Sequence, residues 1–205
     1  MMNQTKSPFI FTDLLRACLK SELEMGSKFL LDLGLTPDMV TLAGLGGHIA
    51  AAAVILGGNI QLGGLLLAVF APLDALDGTM ARRLGQPTPF GSFLDSVTDR
   101  YAEFILWGGL LGYFQQQQDW LTCLAVFGAA AGSALVPYMR AKAEALGFTA
   151  KVGILSRVER YVLLIPLLLL GQAQLAVWAI AVLANITAVQ RIVYVKKESE
   201  WKTQS

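Results

Sequence analysis

Charge is scarce in this chain: only 15% of its 205 residues are Asp, Glu, Lys or Arg, against 55% hydrophobic residues. Soluble domains carry about 25% charge, so this scarcity, with a mean hydropathy of +0.55, excludes an ordinary water-soluble globule. Cysteine is almost absent. Cys18 and Cys123 stand far apart and form neither a metal-binding nor a redox spacing. The one histidine, His48, lies within the first expected span, where a lone His is more often hydrogen-bonded between helices than catalytic. The N-terminal MMNQTKSPFIF has no basic region, apolar core and small-residue cleavage site in succession, so the whole chain is read as mature. No internal repeat or low-complexity tail is visible, and QQQQ at 115–118 reads as an uncharged external loop.

Where charge is missing altogether, membrane spans are expected. No charged residue occurs over 39–73, 104–118, 120–139 or 161–190. The first run is broken by GGNIQLGG and the last by GQAQ, both of which read as turns. Since a span takes about 20 residues, the chain reads as an all-α integral membrane protein with six transmembrane helices, at 38–57, 61–83, 91–114, 119–143, 155–171 and 173–195. With that topology all 16 Lys and Arg fall on one side, and the connections GGNIQLGG, QQQQD and GQAQ on the other contain none. The positive-inside rule then places both termini in the cytoplasm of a multi-pass cell-membrane protein. Before the first span, Phe11, Leu14, Leu15, Cys18 and Leu19 recur at helical spacing, an N-terminal amphipathic helix for the cytoplasmic surface. The expected organisation is a juxtamembrane helix over 1–34, a six-helix domain over 35–197 and a short tail over 198–205.

Against that background, DALDGTMARRLGQPTPFGSFLDSVTD at 74–99 stands out. A carboxylate in a bilayer costs about 2.5 to 3.5 kcal/mol on insertion scales, yet Asp74, Asp77, Asp95 and Asp99 all occur here. Asp74 and Asp77 are separated by roughly 60° around a helix and about 4.5 Å along it, and Asp95 and Asp99, four apart, share one face of the next helix. Gly78 and Gly91 beside them leave room for a close backbone or ligand approach. Four like charges in low dielectric need counter-charge. Carboxylates without Cys or His suit hard cations, so two Mg²⁺ or Mn²⁺ ions are the natural resolution, and such ions commonly hold phosphates.

Asp74, Asp77, Gly78, Ala81, Arg82, Gly91, Asp95 and Asp99 reproduce D-x2-D-G-x2-A-R-x8-G-x3-D-x3-D, and on these residues the chain resembles the CDP-alcohol phosphotransferases. The resemblance implies transfer of a phosphatidyl group from CDP-diacylglycerol to an alcohol, with release of CMP. It implies that Asp74, Asp77, Asp95 and Asp99 are metal ligands, with Asp99 also the general base, and that Gly78, Ala81 and Arg82 line the nucleotide. Pro37, Asp38, Met39, Val40 and Thr41 resemble the family's cytidine-side stretch, and Thr88 a nucleotide-contacting position. A homodimer is implied as well, and nucleic acid is not among the implied partners.

The acceptor is read from other residues. Arg140, Lys142, Arg157, Arg160 and Arg191 can form a pocket for a second phosphate. The stretch Tyr138 to Glu144, YMRAKAE, and SRVER at 156–160 resemble bacterial phosphatidylinositol-phosphate synthases, with Pro137 and Ser156 as departures. The resemblance thus implies inositol 1-phosphate as acceptor. The alternative acceptor is glycerol 3-phosphate, as in phosphatidylglycerol-phosphate synthases. An alternative of another class is a divalent-cation transporter with the aspartates as its transport site, although transporters commonly show repeated halves.

Overall fold

The computed structural model describes residues 20–85, 88–148, 150 and 152–204. The described residues form helices and connecting turns: α1 Lys20–Asp32, α2 Pro37–Leu56, α3 Ile60–Phe70, α4 Leu73–Arg83, α5 Pro89–Gln116, α6 Trp120–Ala145, α7 Arg157–Leu169 and α8 Ala173–Gln204. The amphipathic stretch around Phe11 to Leu19 lies outside them.

Local chemistry sets the boundaries. Thr36 and Thr88 cap α2 and α5 through their hydroxyl oxygens, each followed by proline at the first helical position, where its missing N–H is no loss. Asn59 and Asp119 cap α3 and α6 in the same way. Ser156 and Glu159 form a reciprocal capping box at the start of α7. Gly58, with φ +96°, makes the tight turn from α2 into α3, and Gly171, with φ +72°, the turn from α7 into α8. The expected helix over 61–83 is interrupted at Ala71 and Pro72. Proline has no N–H for the helical ladder and crowds the carbonyl four residues back, so α4 starts afresh with Ala75 N–H donating to Pro72 at 3.0 Å.

Four helical stretches are long and apolar enough to cross a bilayer: Pro37–Leu56, Ile60–Arg83, Trp120–Ala145 and Ala173–Trp201. Helix α5 is longer than α2 but carries Asp95, Asp99, Arg100 and Glu103 among its first 15 residues, and α7 has 13 residues. Large apolar side chains face outward, among them Phe127 at 74% and Leu124 at 70% exposure. That inversion suits a lipid surroundings, which exerts no hydrophobic pressure to bury them.

Small residues bring the helices together. A Cβ on Gly109 of α5 would lie 2.7 Å from the Ala52 carbonyl oxygen of α2, and one on Gly64 of α3 would lie 2.8 Å from Leu168 Cβ of α7. Gly132 of α6 meets Ala184 of α8 equally closely. Around these approaches Ile55, Leu67, Leu110, Leu168 and Ile180 are fully enclosed. Helix α1 lies against α4, with Gly26 beside Leu76 and Arg83 donating to the Glu24 carbonyl at 3.3 Å.

Replacing Gly109 with Ala is expected to destabilise the protein by about 1–3 kcal/mol through overpacking against the α2 backbone. Gly46→Ala, with open space around its Cβ position, should leave the melting transition of the detergent-solubilised protein unchanged.

Candidate active site

Helices α4 and α5 deliver the four aspartates side by side. One carboxylate oxygen from each of Asp74, Asp95 and Asp99 lies within 4.8 Å of the others. Asp77, 4% exposed, faces α2, where the Thr41 hydroxyl donates to its Oδ2 at 2.5 Å. The donor set is entirely carboxylate and converges on one point, which fits a hard divalent cation.

The positive charge closest to these acids comes from α7. Arg157 Nη1 lies 2.5 Å from Asp74 Oδ2 and 2.6 Å from Asp99 Oδ1, bridging the two helices. Arg100 approaches Asp99 at 3.7 Å. Among the described residues neither Arg82 nor Arg83, the cations of the nearest connection, pairs with any of the four acids. Behind this layer sits Glu103, one turn beyond Asp99. Its Oε1 accepts from Arg160 Nη2 at 2.5 Å and lies 3.6 Å from Arg157 Nε, while Oε2 faces Arg100 at 3.9 Å.

A third polar layer lies under Arg157. Tyr161 presents its ring 5.6 Å from the guanidinium carbon. Its hydroxyl donates to His48 Nε2 at 2.9 Å, and His48 Nδ1–H donates to the Gly44 carbonyl at 2.8 Å. The carbonyl can only accept, which assigns the imidazole proton to Nδ1.

Two cavities meet at the acid cluster. The larger, about 330 Å³, is lined by Asp77 and Asp95 and by seven of the residues expected beside a nucleotide: Pro37, Asp38, Thr41, Gly78, Ala81, Arg82 and Thr88. Gly78 and Gly91 both border it. A Cβ on Gly91 would stand 3.0 Å from Thr88 Oγ1 and 3.5 Å from Asp38 Oδ1, narrowing the space between α2 and α5. Met39 instead points outward at 53% exposure, and Val40 is buried. The smaller cavity is lined by Asp74, Asp99, His48 and Arg157, with Thr41 on the wall shared by both. The acids are therefore divided, with Asp77 and Asp95 on one side and Asp74 and Asp99 on the other.

The five expected acceptor-side cations occupy different environments. Arg157 and Arg160 are inside the polar cluster just described. Arg140 is exposed and pairs with Glu144 at 2.9 Å, and Lys142 is exposed in the same last turn of α6. Arg191 of α8 is buried, with Nε donating to the Val152 carbonyl at 2.9 Å and Nη1 to that of Val136. It nevertheless feels the like charges of Arg140 and Arg160. Sequence reasoning missed Glu103, although Asp95, Asp99 and Glu103 at steps of four mark one acidic helix face. It also passed over Tyr161 and left His48 without a role.

A sequence model of the CDP-alcohol phosphatidyltransferases matches residues 34–190. The chain is 36% identical over 189 residues to the archaetidylinositol phosphate synthase of Pyrococcus horikoshii, across 91% of this chain and 97% of that one. It is 35% identical over 202 residues to the phosphatidylinositol phosphate synthase of Streptomyces avermitilis, across 90% of this chain and 82% of that one. The crystal structure of Mycobacterium tuberculosis phosphatidylinositol phosphate synthase with CDP-DAG bound is similar with a TM-score of 0.77 at 30% identity, covering 84% of this chain and 92% of that chain. The same enzyme in complex with manganese and citrate is similar with a TM-score of 0.78 at 30% identity, covering 84% and 88%.

Removing one partner of a buried ion pair leaves the other charge uncompensated, at about 3–5 kcal/mol. Glu103→Ala should therefore lower the melting temperature sharply by stranding the buried Arg160, whereas pairing it with Arg160→Met should recover most of the loss in the same measurement.

Proposed function

The chain belongs to the CDP-alcohol phosphatidyltransferase family, and we propose that it transfers the phosphatidyl group of CDP-diacylglycerol to inositol 1-phosphate, releasing CMP. The observation that carries this reading is the junction of a cavity of about 330 Å³, lined by the family's signature residues, with a carboxylate cluster. Similarity to synthases of two inositol-phosphate lipids supports this acceptor.

Asp74, Asp77, Asp95 and Asp99 would hold the divalent ions, Mg²⁺ or Mn²⁺ and two in number. When bound, such ions draw charge from the pyrophosphate and the departing CMP. The chain's own residues do the rest. The cytidine diphosphate fits the larger cavity, where Gly78 and Gly91 leave space, Arg82 offers a guanidinium to phosphate and Thr36 to Thr41 form the α2 wall. Asp99 borders the smaller cavity beside Arg157. A hydroxyl arriving on that side gives its proton to Asp99 as its oxygen bonds to the phosphorus that carries diacylglycerol, and the bond from that phosphorus to the CMP oxygen breaks. Arg140, Lys142, Arg157, Arg160 and Arg191 supply charge for the acceptor's own phosphate.

In the bilayer, α2, α3 with α4, and α5 to α8 serve as six spans, and the short α7 and charged α5 complete the bundle by burying their polar faces on one another. The confinement of all 16 Lys and Arg to one side supports cytoplasmic termini and a cytoplasmic active site. The unit over 35–197 is the catalytic domain, 1–34 a surface helix whose α1 portion exposes Met25 and Phe29, and 198–205 a tail that prolongs α8. A homodimer, implied by the family resemblance, belongs to the same proposal.

Purified protein given labelled CDP-diacylglycerol should form lipid product and CMP with inositol 1-phosphate, and not with inositol or serine. Product with glycerol 3-phosphate instead would reassign the acceptor. Asp99→Asn should cut turnover by about 10² or more while retaining most Mn²⁺ binding, and normal turnover in that variant would remove Asp99 as the base.

A further inference from the structure

We propose that Arg157 competes with the divalent ion for Asp74 and Asp99, so that metal entry turns its guanidinium away from the acids and frees it for the acceptor's phosphate. The proposal rests on the metal-dependent phosphatidyl transfer argued above. It adds that metal loading and acceptor binding are coupled through one side chain.

Geometry makes the competition unavoidable. Arg157 Nη1 sits 2.5 Å from Asp74 Oδ2 and 2.6 Å from Asp99 Oδ1, and both residues belong to the group of three able to hold an ion. A divalent ion such as Mg²⁺ bonds carboxylate oxygen at about 2.0–2.1 Å, so an ion on Asp74 Oδ2 or Asp99 Oδ1 would take the place of the guanidinium nitrogen there. Two cations pressed against the same oxygens repel strongly in low dielectric.

Arg157 is also the cation that reaches both Asp74 and Asp99 at hydrogen-bond distance, whereas Arg100 approaches Asp99 only at 3.7 Å. Arg160 is 3% exposed and already bonded to Glu103 at 2.5 Å, so Glu103 has its counter-charge without Arg157. Arg157 Nε is buried without a hydrogen-bond partner, and its distance to Glu103 is 3.6 Å. The short contacts of the guanidinium are thus those to the two aspartates, with Glu103 at 3.6 Å and the Tyr161 ring at 5.6 Å as its longer ones. Arg157 is moreover the first residue of α7, where the helix macrodipole disfavours a cation. Take away the aspartates' attraction and little holds it. The floor beneath is fixed, because Tyr161 and His48 are committed to each other and to Gly44.

The test uses the full chain in lipid nanodiscs without CDP-diacylglycerol. Mn²⁺ affinity is measured by electron paramagnetic resonance for wild type, Arg157→Gln and Arg157→Lys, beside melting curves in EDTA and in Mn²⁺. Arg157→Gln should bind Mn²⁺ about tenfold more tightly or better, by analogy with the 1–3 log units a nearby charge shifts a carboxylate's affinity for a proton, and should gain more melting temperature from Mn²⁺ than wild type. Arg157→Lys should fall between. In wild type, saturating Mn²⁺ should tighten inositol 1-phosphate binding by about fivefold or more, since coupling is reciprocal, and Arg157→Gln should lose that dependence.

Unchanged or weaker Mn²⁺ binding in a cooperatively melting Arg157→Gln would overturn the proposal. Should that variant not fold, equal Mn²⁺ affinity in wild type and Arg157→Lys, with metal-independent acceptor binding in wild type, would overturn it as well. The Mn²⁺ measurements contain no substrate, so an error in the acceptor's identity leaves them standing. Failure of the competition leaves the transfer reaction standing in turn.

Discussion

The bridge Asp74–Arg157–Asp99 is the interaction on which the arrangement depends. Aspartates from two helices face one another where the surroundings are largely apolar, and carboxylates that close repel by several kcal/mol unless positive charge lies between them. In the protein alone that charge comes from α7, which therefore has to begin where it does, with its first residue level with the acids. The capping box at Ser156 and Glu159 fixes the start of that helix, and the tight approach of α3 to α7 at Gly64 sets its distance from the bundle. A helix of 13 residues is short for a membrane span. It is long enough to carry Arg157, Arg160 and Tyr161 on the face that meets α2, α4 and α5.

Division of the acids between two cavities turns this electrostatic cluster into a place where two substrates can meet. The side bounded by Asp77, Asp95 and the glycines is roomy and borders Arg82, as a nucleotide diphosphate requires. The side bounded by Asp74, Asp99 and Arg157 is tight, and Arg157 is the cation on its wall. Thr41 stands on both walls, and its hydroxyl holds Asp77 in place. Because Pro72 and Pro89 start new helical ladders before the acids, Asp74 and Asp77 occupy the first two turns of α4, and Asp95 and Asp99 lie about two and three turns into α5. A lipid headgroup reaches helix ends without drawing its acyl chains out of the bilayer.

Much of this was legible in the sequence because it is written in local spacing. The acids at steps of three and four, the glycines beside them and the Thr–Pro helix starts at Thr36 and Thr88 each depend on neighbours along the chain. Seven of the residues expected beside a nucleotide line one cavity: Gly78, Ala81 and Arg82 from the signature, and Pro37, Asp38, Thr41 and Thr88 from the flanking stretches. The partners of the basic residues were not legible. A side-of-membrane rule says on which side of the bilayer an arginine lies, but not whether it meets a phosphate, a carboxylate or a backbone carbonyl. Arg157, Arg160 and Arg191 look alike in sequence and end against two aspartates, a glutamate and two carbonyls respectively. A lone histidine within a span is expected to bond between helices rather than to catalyse, and His48 does so, but its partner Tyr161, 113 residues away, could not be named from spacing.

Saturation then distinguishes the buried cations from one another. In low dielectric a charged group moves only if its partners are kept or replaced, since leaving a charge bare costs several kcal/mol. Arg160 Nη2 is bonded to Glu103 deep in the bundle, so moving Arg160 would leave its charge bare. Arg191 is tied to two main-chain carbonyls that join α6, α8 and the segment before α7, and so acts as a brace between helices. Arg157 has an unpartnered Nε, and the acids that hold it are the ones a divalent ion seeks. For Arg157 alone, the exchange of one counter-charge for another supplies both what displaces the side chain and what keeps the aspartates neutralised while it moves.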